Sequence, residues 1–332
     1  MKQILWPLLL LFFSGLPKSS FTQELTLPLQ PEAGPGGTHY IHDSIQITQV
    51  AHRDTGYWLF EPGHPTPDSA HIVVFLHGYG AINPMIYGGW IQHLVRKGNI
   101  VIYPRYQRKI FPPRTKRFAP NAVKGIKAAL YHLDTTDHLV ALTENMSLVG
   151  HSYGGALVGN LAARYQEYGL PKPTAALLCS PGSGPFRGGI LKSYENIPVD
   201  MKLLVMVSER DKTVGDKLGK RIFNTATQTT DRHLIVQRQD QREGHGTRAG
   251  HNESYSLDPS LDCGLHNITS RRAAKVSRID AVDFYAYWKL LDALHDCTRL
   301  NQNCEYAIGN TVQQQSMGTW SDGQEVLKLK VE

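Results

Sequence analysis

The sequence predicts an α/β protein: a mostly parallel central sheet covered by helices on both faces. Three observations carry this. His71–Leu76 (HIVVFL) and Asn99–Tyr103 (NIVIY) are continuous runs rich in β-branched residues, as strands buried on both faces require. Helical patterns separate successive strands, which implies parallel βαβ units. A Gly-x-Ser-x-Gly stands where one such strand turns into a helix.

Taken in order, Ile45–Val50 alternates apolar and polar residues, and Gly56–Phe60 can pair with it as an antiparallel edge. After HIVVFL a helical stretch near Pro84–Lys97 ends at Gly98, and strand Asn99–Tyr103 follows. A helix is expected over Asn121–Leu133, starting just after Pro120. Strands follow at Met146–Val149, Thr174–Leu178, Met201–Val207 and His233–Arg238. Helices are expected at Tyr153–Tyr165 and Gly215–Ala226, and a strongly amphipathic one at Arg278–His295. Two loops interrupt the rhythm: basic, Pro-broken Arg105–Ala119, expected to be solvated, and polar His245–Ser277, without clear periodicity. No long block stands outside the pattern, so one domain over residues 44–332, including a C-terminal tail and without a large lid, is expected.

The chain has 332 residues, 41% hydrophobic and 19% charged, which excludes disordered, collagen-like and coiled-coil classes. A net charge of +6 is modest for this length, and no dense Lys/Arg run supports nucleic-acid binding. Lys2, the apolar run Ile4–Phe13 and the small residues after it have signal-peptide anatomy, so residues 1–22 are expected to be a cleaved leader. Residues 23–43, rich in Pro and Gly, are expected to form a loose arm. The apolar run is too short to span a bilayer, so no stable membrane insertion is expected and the protein is placed outside the cell or in the periplasm. An oxidising compartment permits disulfides. Four cysteines allow three full pairings; Cys297 with Cys304 is expected as a local bridge, and Cys179 as a buried strand thiol.

Chemistry is concentrated at strand ends. In Met146–Gly155 (MSLVGHSYGG), Ser152 sits between small residues that permit a sharp strand-to-helix turn, and the N–H of Tyr153 points where an oxyanion would form. The strand HIVVFL ends in His77-Gly78-Tyr79-Gly80, where the N–H of Tyr79 is the second candidate donor. A serine nucleophile needs a base, and the base an orienting carboxylate. Asp211 follows strand Met201–Val207 in the right place; Glu209 is nearly in the strand and is the weaker candidate. His245 and His251, in GHGTRAGH, both qualify as base. No third ligand joins this pair at a suggestive spacing, so no metal is expected, and the chemistry requires no cofactor.

These residues resemble the α/β-hydrolase superfamily, over roughly residues 44–295. The resemblance rests on HGYG at 77–80, GHSYGG at 150–155, Asp211 and a late histidine. Within it the chain is similar to compact, lid-poor enzymes such as the dienelactone-hydrolase, cutinase and polyesterase-like groups. The resemblance implies an oxyanion hole at Tyr79 and Tyr153. It favours His251 as base, since Ala249-Gly250-His251 matches the Ala-x-His expected there, while a competing Gly-His-Gly precedes it. It implies a secreted serine hydrolase acting on small or polymeric carboxylic esters through an acyl-enzyme. A serine peptidase or amidase, and a non-catalytic binding protein on the same fold, are the alternatives. Oligomeric state has no signature in the sequence.

Overall fold

The computed structural model describes residues 24–136, 138–186 and 189–332; the leader expected over residues 1–22 lies outside the described residues. Two antiparallel strands, β1 (Ile45–Gln49) and β2 (Gly56–Pro62), form one edge of the sheet. β3 (Ser69–Leu76) lies between β4 (Asn99–Arg105) and β5 (Val140–His151), parallel to both. β6 (Ala175–Cys179), β7 (Lys202–Ser208) and β8 (Arg232–Gln237) continue in parallel. β9 (Gln241–Arg242) and β10 (His245–Gly246) make a separate hairpin, and β11 (Lys330–Val331) adds antiparallel to β8. The order β1-β2-β4-β3-β5-β6-β7-β8-β11 makes nine strands among the described residues.

Successive side chains of a strand face opposite ways, so each central strand feeds two cores. Val73 and Phe75 pack with α1 (Gly88–Arg96), which follows a 3-10 turn at Pro84–Tyr87. Ile72, Val74 and Leu76 pack on the other face with α2 (Phe118–Thr135) and α3 (Tyr153–Ala163), which is followed by the single turn α4 (Tyr165–Tyr168). α5 (Lys217–Thr225) joins that second face through Ile222. α6 (Ile268–Val276) lies at the rim. A π-helical stretch, Asp283–Trp288, runs into α7 (Lys289–Leu300) on the first face, and α8 (Val312–Gln315) is one turn in the tail.

Several expectations are corrected. α2 begins at Phe118 rather than after Pro120, because a proline in the first turn blocks no helical hydrogen bond. The helix expected from Arg278 starts later and runs on to Leu300. The stretch His245–Ser277 contains α6, started by a capping box in which Asn267 accepts from the N–H groups of Thr269 and Ser270. The arm has no regular structure in its described part, but it is anchored: Leu25 is buried, and the Gly36 N–H donates to Asp292 Oδ2 at 2.9 Å. Cys297 is bonded to Cys304, tying the end of α7 to the next turn; Cys179 is free and buried, and Cys263 is free and half-buried.

The tail is held by polar contacts that its sequence does not announce. Lys289 is buried, and its Nζ donates to the carbonyls of Gln313 (3.0 Å), Gln314 (3.0 Å) and Ser316 (2.6 Å). Burial pushes its pKa down to about 7. Trp320, also buried, donates through Nε1 to Asp240 Oδ2 at 3.1 Å. Replacing Lys289 with Met removes the donor from three carbonyls and leaves the buried one, of Gln314, without a partner, each loss costing about 1–3 kcal/mol where water cannot enter. Lys289→Met is therefore expected to lower the melting temperature by roughly 5–10 °C in calorimetry; an unchanged melting temperature would remove Lys289 from this role.

Candidate active site

The turn from β5 into α3 is set by a close approach. A Cβ on Gly154 would lie 1.9 Å from the Leu76 carbonyl oxygen at the end of β3, so only glycine fits. Ser152, immediately before α3, takes φ 56° and ψ −119°, a strained conformation for a residue with a side chain. Its N–H donates to the Cys179 carbonyl (2.9 Å) and its own carbonyl accepts from the Gly182 N–H (3.0 Å), which fixes the strained turn between β6 and the segment after it.

Three side chains meet there. His251 Nε2 lies 2.8 Å from Ser152 Oγ, and His251 Nδ1 lies 2.7 Å from Asp211 Oδ2. The other Asp211 oxygen, Oδ1, accepts from the N–H groups of Thr213 (2.8 Å) and Val214 (3.0 Å). Burial acts to raise the Asp211 pKa, but the hydrogen bond and charge of His251, with those two N–H groups, hold it below the usual value. The loop carrying His251 is tied to the loop carrying Asp211, since the Arg210 N–H donates to the Ala249 carbonyl at 2.9 Å. The Gly250 N–H donates to Glu253 Oε1 at 3.0 Å, bracing the residue before His251. His245 is elsewhere. The hairpin of β9 and β10 turns it outward, half-exposed, 3.8 Å from Glu24 Oε1. Glu209 instead accepts from the Gln239 N–H.

On the β3 side, the Gly78 N–H donates to Tyr87 Oη (2.9 Å) and the Gly80 N–H to Gln107 Oε1 (2.8 Å). The Tyr79 N–H between them has no protein partner among the described residues. Gly78 faces Ser152: a Cβ on it would lie 3.5 Å from Ser152 Cβ. Tyr153 is the first residue of α3, at the positive end of the helix dipole. Its phenol is paired with Thr115, and burial raises its pKa to about 12. The Tyr79 ring stacks on Phe186 at 4.3 Å, and its hydroxyl donates to the Ile110 carbonyl. A cavity of about 180 Å³ opens beside Ser152, walled by Tyr79, Phe186, Pro185, Val214 and Tyr255, with Arg272 of α6 on its lining.

Sequence reasoning missed His151. It is buried; its Nε2 lies 2.7 Å from the His251 carbonyl oxygen and its Nδ1 2.9 Å from Tyr87 Oη. Burial first, then the charge of His251, lowers its pKa to about 3, so it is neutral. A carbonyl only accepts, so Nε2 carries the proton and Nδ1 accepts from Tyr87, whose oxygen in turn accepts from the Gly78 N–H. One directional chain thus links the turn after β3 to the backbone of His251. As the residue between Gly150 and Ser152, His151 occupies a position that Gly-x-Ser-x-Gly leaves open, and nothing else in the sequence marks it. Among the described residues no group of three or more His, Cys, Asp or Glu gathers to hold a metal.

The strand order, the covered sheet and the strained serine turn define an α/β hydrolase. A family model described as Chlorophyllase, an α/β-hydrolase-like serine esterase family, matches residues 64–187, less than half of the chain. The matched part holds Tyr79, His151 and Ser152; Asp211 and His251 lie beyond it. The match points to a serine ester hydrolase. No curated protein matches the chain.

His77 is likewise buried, with burial as the main cause of a pKa lowered to about 3. A free histidine titrates near 6.5, so between about pH 6.5 and pH 3 the unfolded chain binds protons that the folded chain refuses. Stability therefore falls as pH falls through that window. In His151→Gln the urea midpoint is expected to drop less steeply over it than in the parent protein; parallel slopes would contradict a neutral His151.

Proposed function

We propose that the protein is a serine hydrolase that cleaves carboxylic esters, with Ser152 as nucleophile, His251 as general base and Asp211 as its orienting carboxylate. The observation that carries this reading is the unbroken contact chain from Asp211 through His251 to Ser152, at 2.7 and 2.8 Å. His251 Nε2 accepts the Ser152 proton as Oγ attacks the ester carbonyl. The N–H groups of Tyr79 and Tyr153 receive the oxyanion. The alcohol departs with the proton held by His251, and water then cleaves the acyl-enzyme by the same route. Asp211 keeps Nδ1 protonated and stabilises the imidazolium. The Chlorophyllase match favours esters over amides, and supports a hydrolase over a binding protein that keeps the fold. The leader-like residues 1–22 and the Cys297–Cys304 bond support export into an oxidising compartment.

A fluorophosphonate probe is expected to label the protein and to leave Ser152→Ala unlabelled. On a soluble p-nitrophenyl ester, His251→Ala is expected to lower kcat by about 10⁴-fold or more, whereas His245→Ala stays near the parent value. A loss confined to His245→Ala would refute His251, and folded parent protein without labelling would favour the binding reading.

The cavity is small beside the ~300–1,000 Å³ of ordinary ligand sites. Short acyl groups fit it, so p-nitrophenyl butyrate is expected to turn over faster than the palmitate, and peptide anilides hardly at all. A palmitate preference would contradict the cavity argument; an anilide preference would move the protein to the amidases.

A further inference from the structure

The loop between β4 and α2 is unused by the proposed chemistry. Arg105–Ala119 (RYQRKIFPPRTKRFA) carries six cationic side chains and no carboxylate. Arg105 braces the loop from inside, donating to the carbonyls of Ala51 (2.6 Å) and Arg108 (3.2 Å). The other five, Arg108, Lys109, Arg114, Lys116 and Arg117, are exposed, and none has an ion-pair partner among the described residues. Four of them, Arg108, Lys109, Arg114 and Arg117, line one open cavity of about 310 Å³. One carboxylate, Asp54, also lines it and accepts from Asn121 Nδ2 at 3.2 Å, so cations prevail there four to one.

Flexible like charges would spread apart; these are held together. Gln107 Nε2 donates to the Lys109 carbonyl (3.2 Å), the Arg117 N–H to the Arg114 carbonyl (2.9 Å), and Tyr79 to the Ile110 carbonyl. Thr115 is paired with Tyr153. The loop is therefore fixed against both tyrosines that flank Ser152. At its tip Phe111 is 77% exposed, between Ile110 and the prolines Pro112 and Pro113.

We infer that this loop docks the protein on an anionic phospholipid surface, the four-cation cavity taking headgroup phosphates and Phe111 entering the interface. Cations supply the long-range attraction and the apolar tip supplies insertion, the pairing that interfacial binding requires. A single exposed ring flanked by aliphatic residues favours lipid over a base-stacking surface, which uses successive aromatics. Because Tyr79, a wall of the Ser152 cavity, is hydrogen-bonded to Ile110 beside Phe111, docking would set that cavity close to the lipid surface. The chemistry of that cavity rests on the proposed function, whereas the docking does not.

The test is sedimentation of the intact protein with phosphatidylcholine vesicles, with and without phosphatidylglycerol. Binding is expected only to the vesicles containing phosphatidylglycerol, and it should weaken with salt. Each charge removed should weaken it about fivefold, so Arg108→Gln with Arg114→Gln should cost roughly 25-fold. Phe111→Ala should cost about tenfold. These exposed substitutions are expected to leave turnover of a soluble ester unchanged, so a failed ester assay and a failed vesicle assay are read separately. Equal binding to both vesicles, or none to either, would overturn the inference. So would single-stranded DNA bound more tightly than vesicles, or inorganic phosphate bound at the loop without vesicle binding.

Discussion

The site depends on how closely the start of α3 approaches the end of β3. The gap at Gly154 is too small for any side chain, and in the same turn out of β5 Ser152 takes positive φ. Such a conformation costs about 1–3 kcal/mol and persists only where its surroundings over-determine it. Here they do. β5 is paired on both sides, its last residues are buried, and the serine's own backbone groups are engaged by Cys179 and Gly182. The same approach places Gly78, the first glycine after β3, across from the Ser152 side chain. One steric constraint thus presents the hydroxyl and sets the candidate oxyanion turn beside it.

A second ordering device lies beneath the first. The hydrogen-bond chain Gly78–Tyr87–His151–His251 has a direction imposed by its ends, an N–H at one and a carbonyl at the other. A buried imidazole would be costly as an isolated polar group, but both ring nitrogens are used. The turn carrying Tyr79 and the backbone of His251 are therefore positioned by one network, although they come from opposite sides of the elbow. Glu253 and Ala249 brace the His251 loop from the other direction.

The parts legible in the sequence were those with a strong local signal. HIVVFL and NIVIY announce buried strands because burial on two faces demands uninterrupted apolar residues. The Ser152 turn was legible because its sterics demand glycines in a short span. α6 was not, because it buries only Ser270 and Ala273 and leaves Ile268 exposed, so no apolar stripe forms. β11 is two residues long and owes its existence to the open edge of β8, a tertiary fact without local pattern. β5 reaches back to Val140 through a half-exposed stretch whose polar residues hide the strand. The spatial separation of His245 from Ser152 follows from the tight β9–β10 hairpin, where Glu243 and Gly244 both take positive φ; Gly-rich spacing left both histidines eligible.

The reach of the family match follows the same physical division. Residues 64–187 contain the steric part of the site: β3 and its turn, β5, the serine and α3. Those elements are constrained by close backbone contact, so few sequences satisfy them. Asp211 and His251 need only stand on loops beyond β7 and β8 that bring them to the rim of the sheet. Many loop sequences meet that requirement when a few backbone bonds, such as Arg210 to Ala249, hold the two loops together. The matched region is therefore the region with least room, and Asp211 and His251, the proposed acid and base, stand on loops outside it. The basic loop and α6 belong to the same rim; Asn267 Nδ2 donates to the Gly80 carbonyl and Tyr79 to that of Ile110, so both segments bear on the one turn that the steric core fixes.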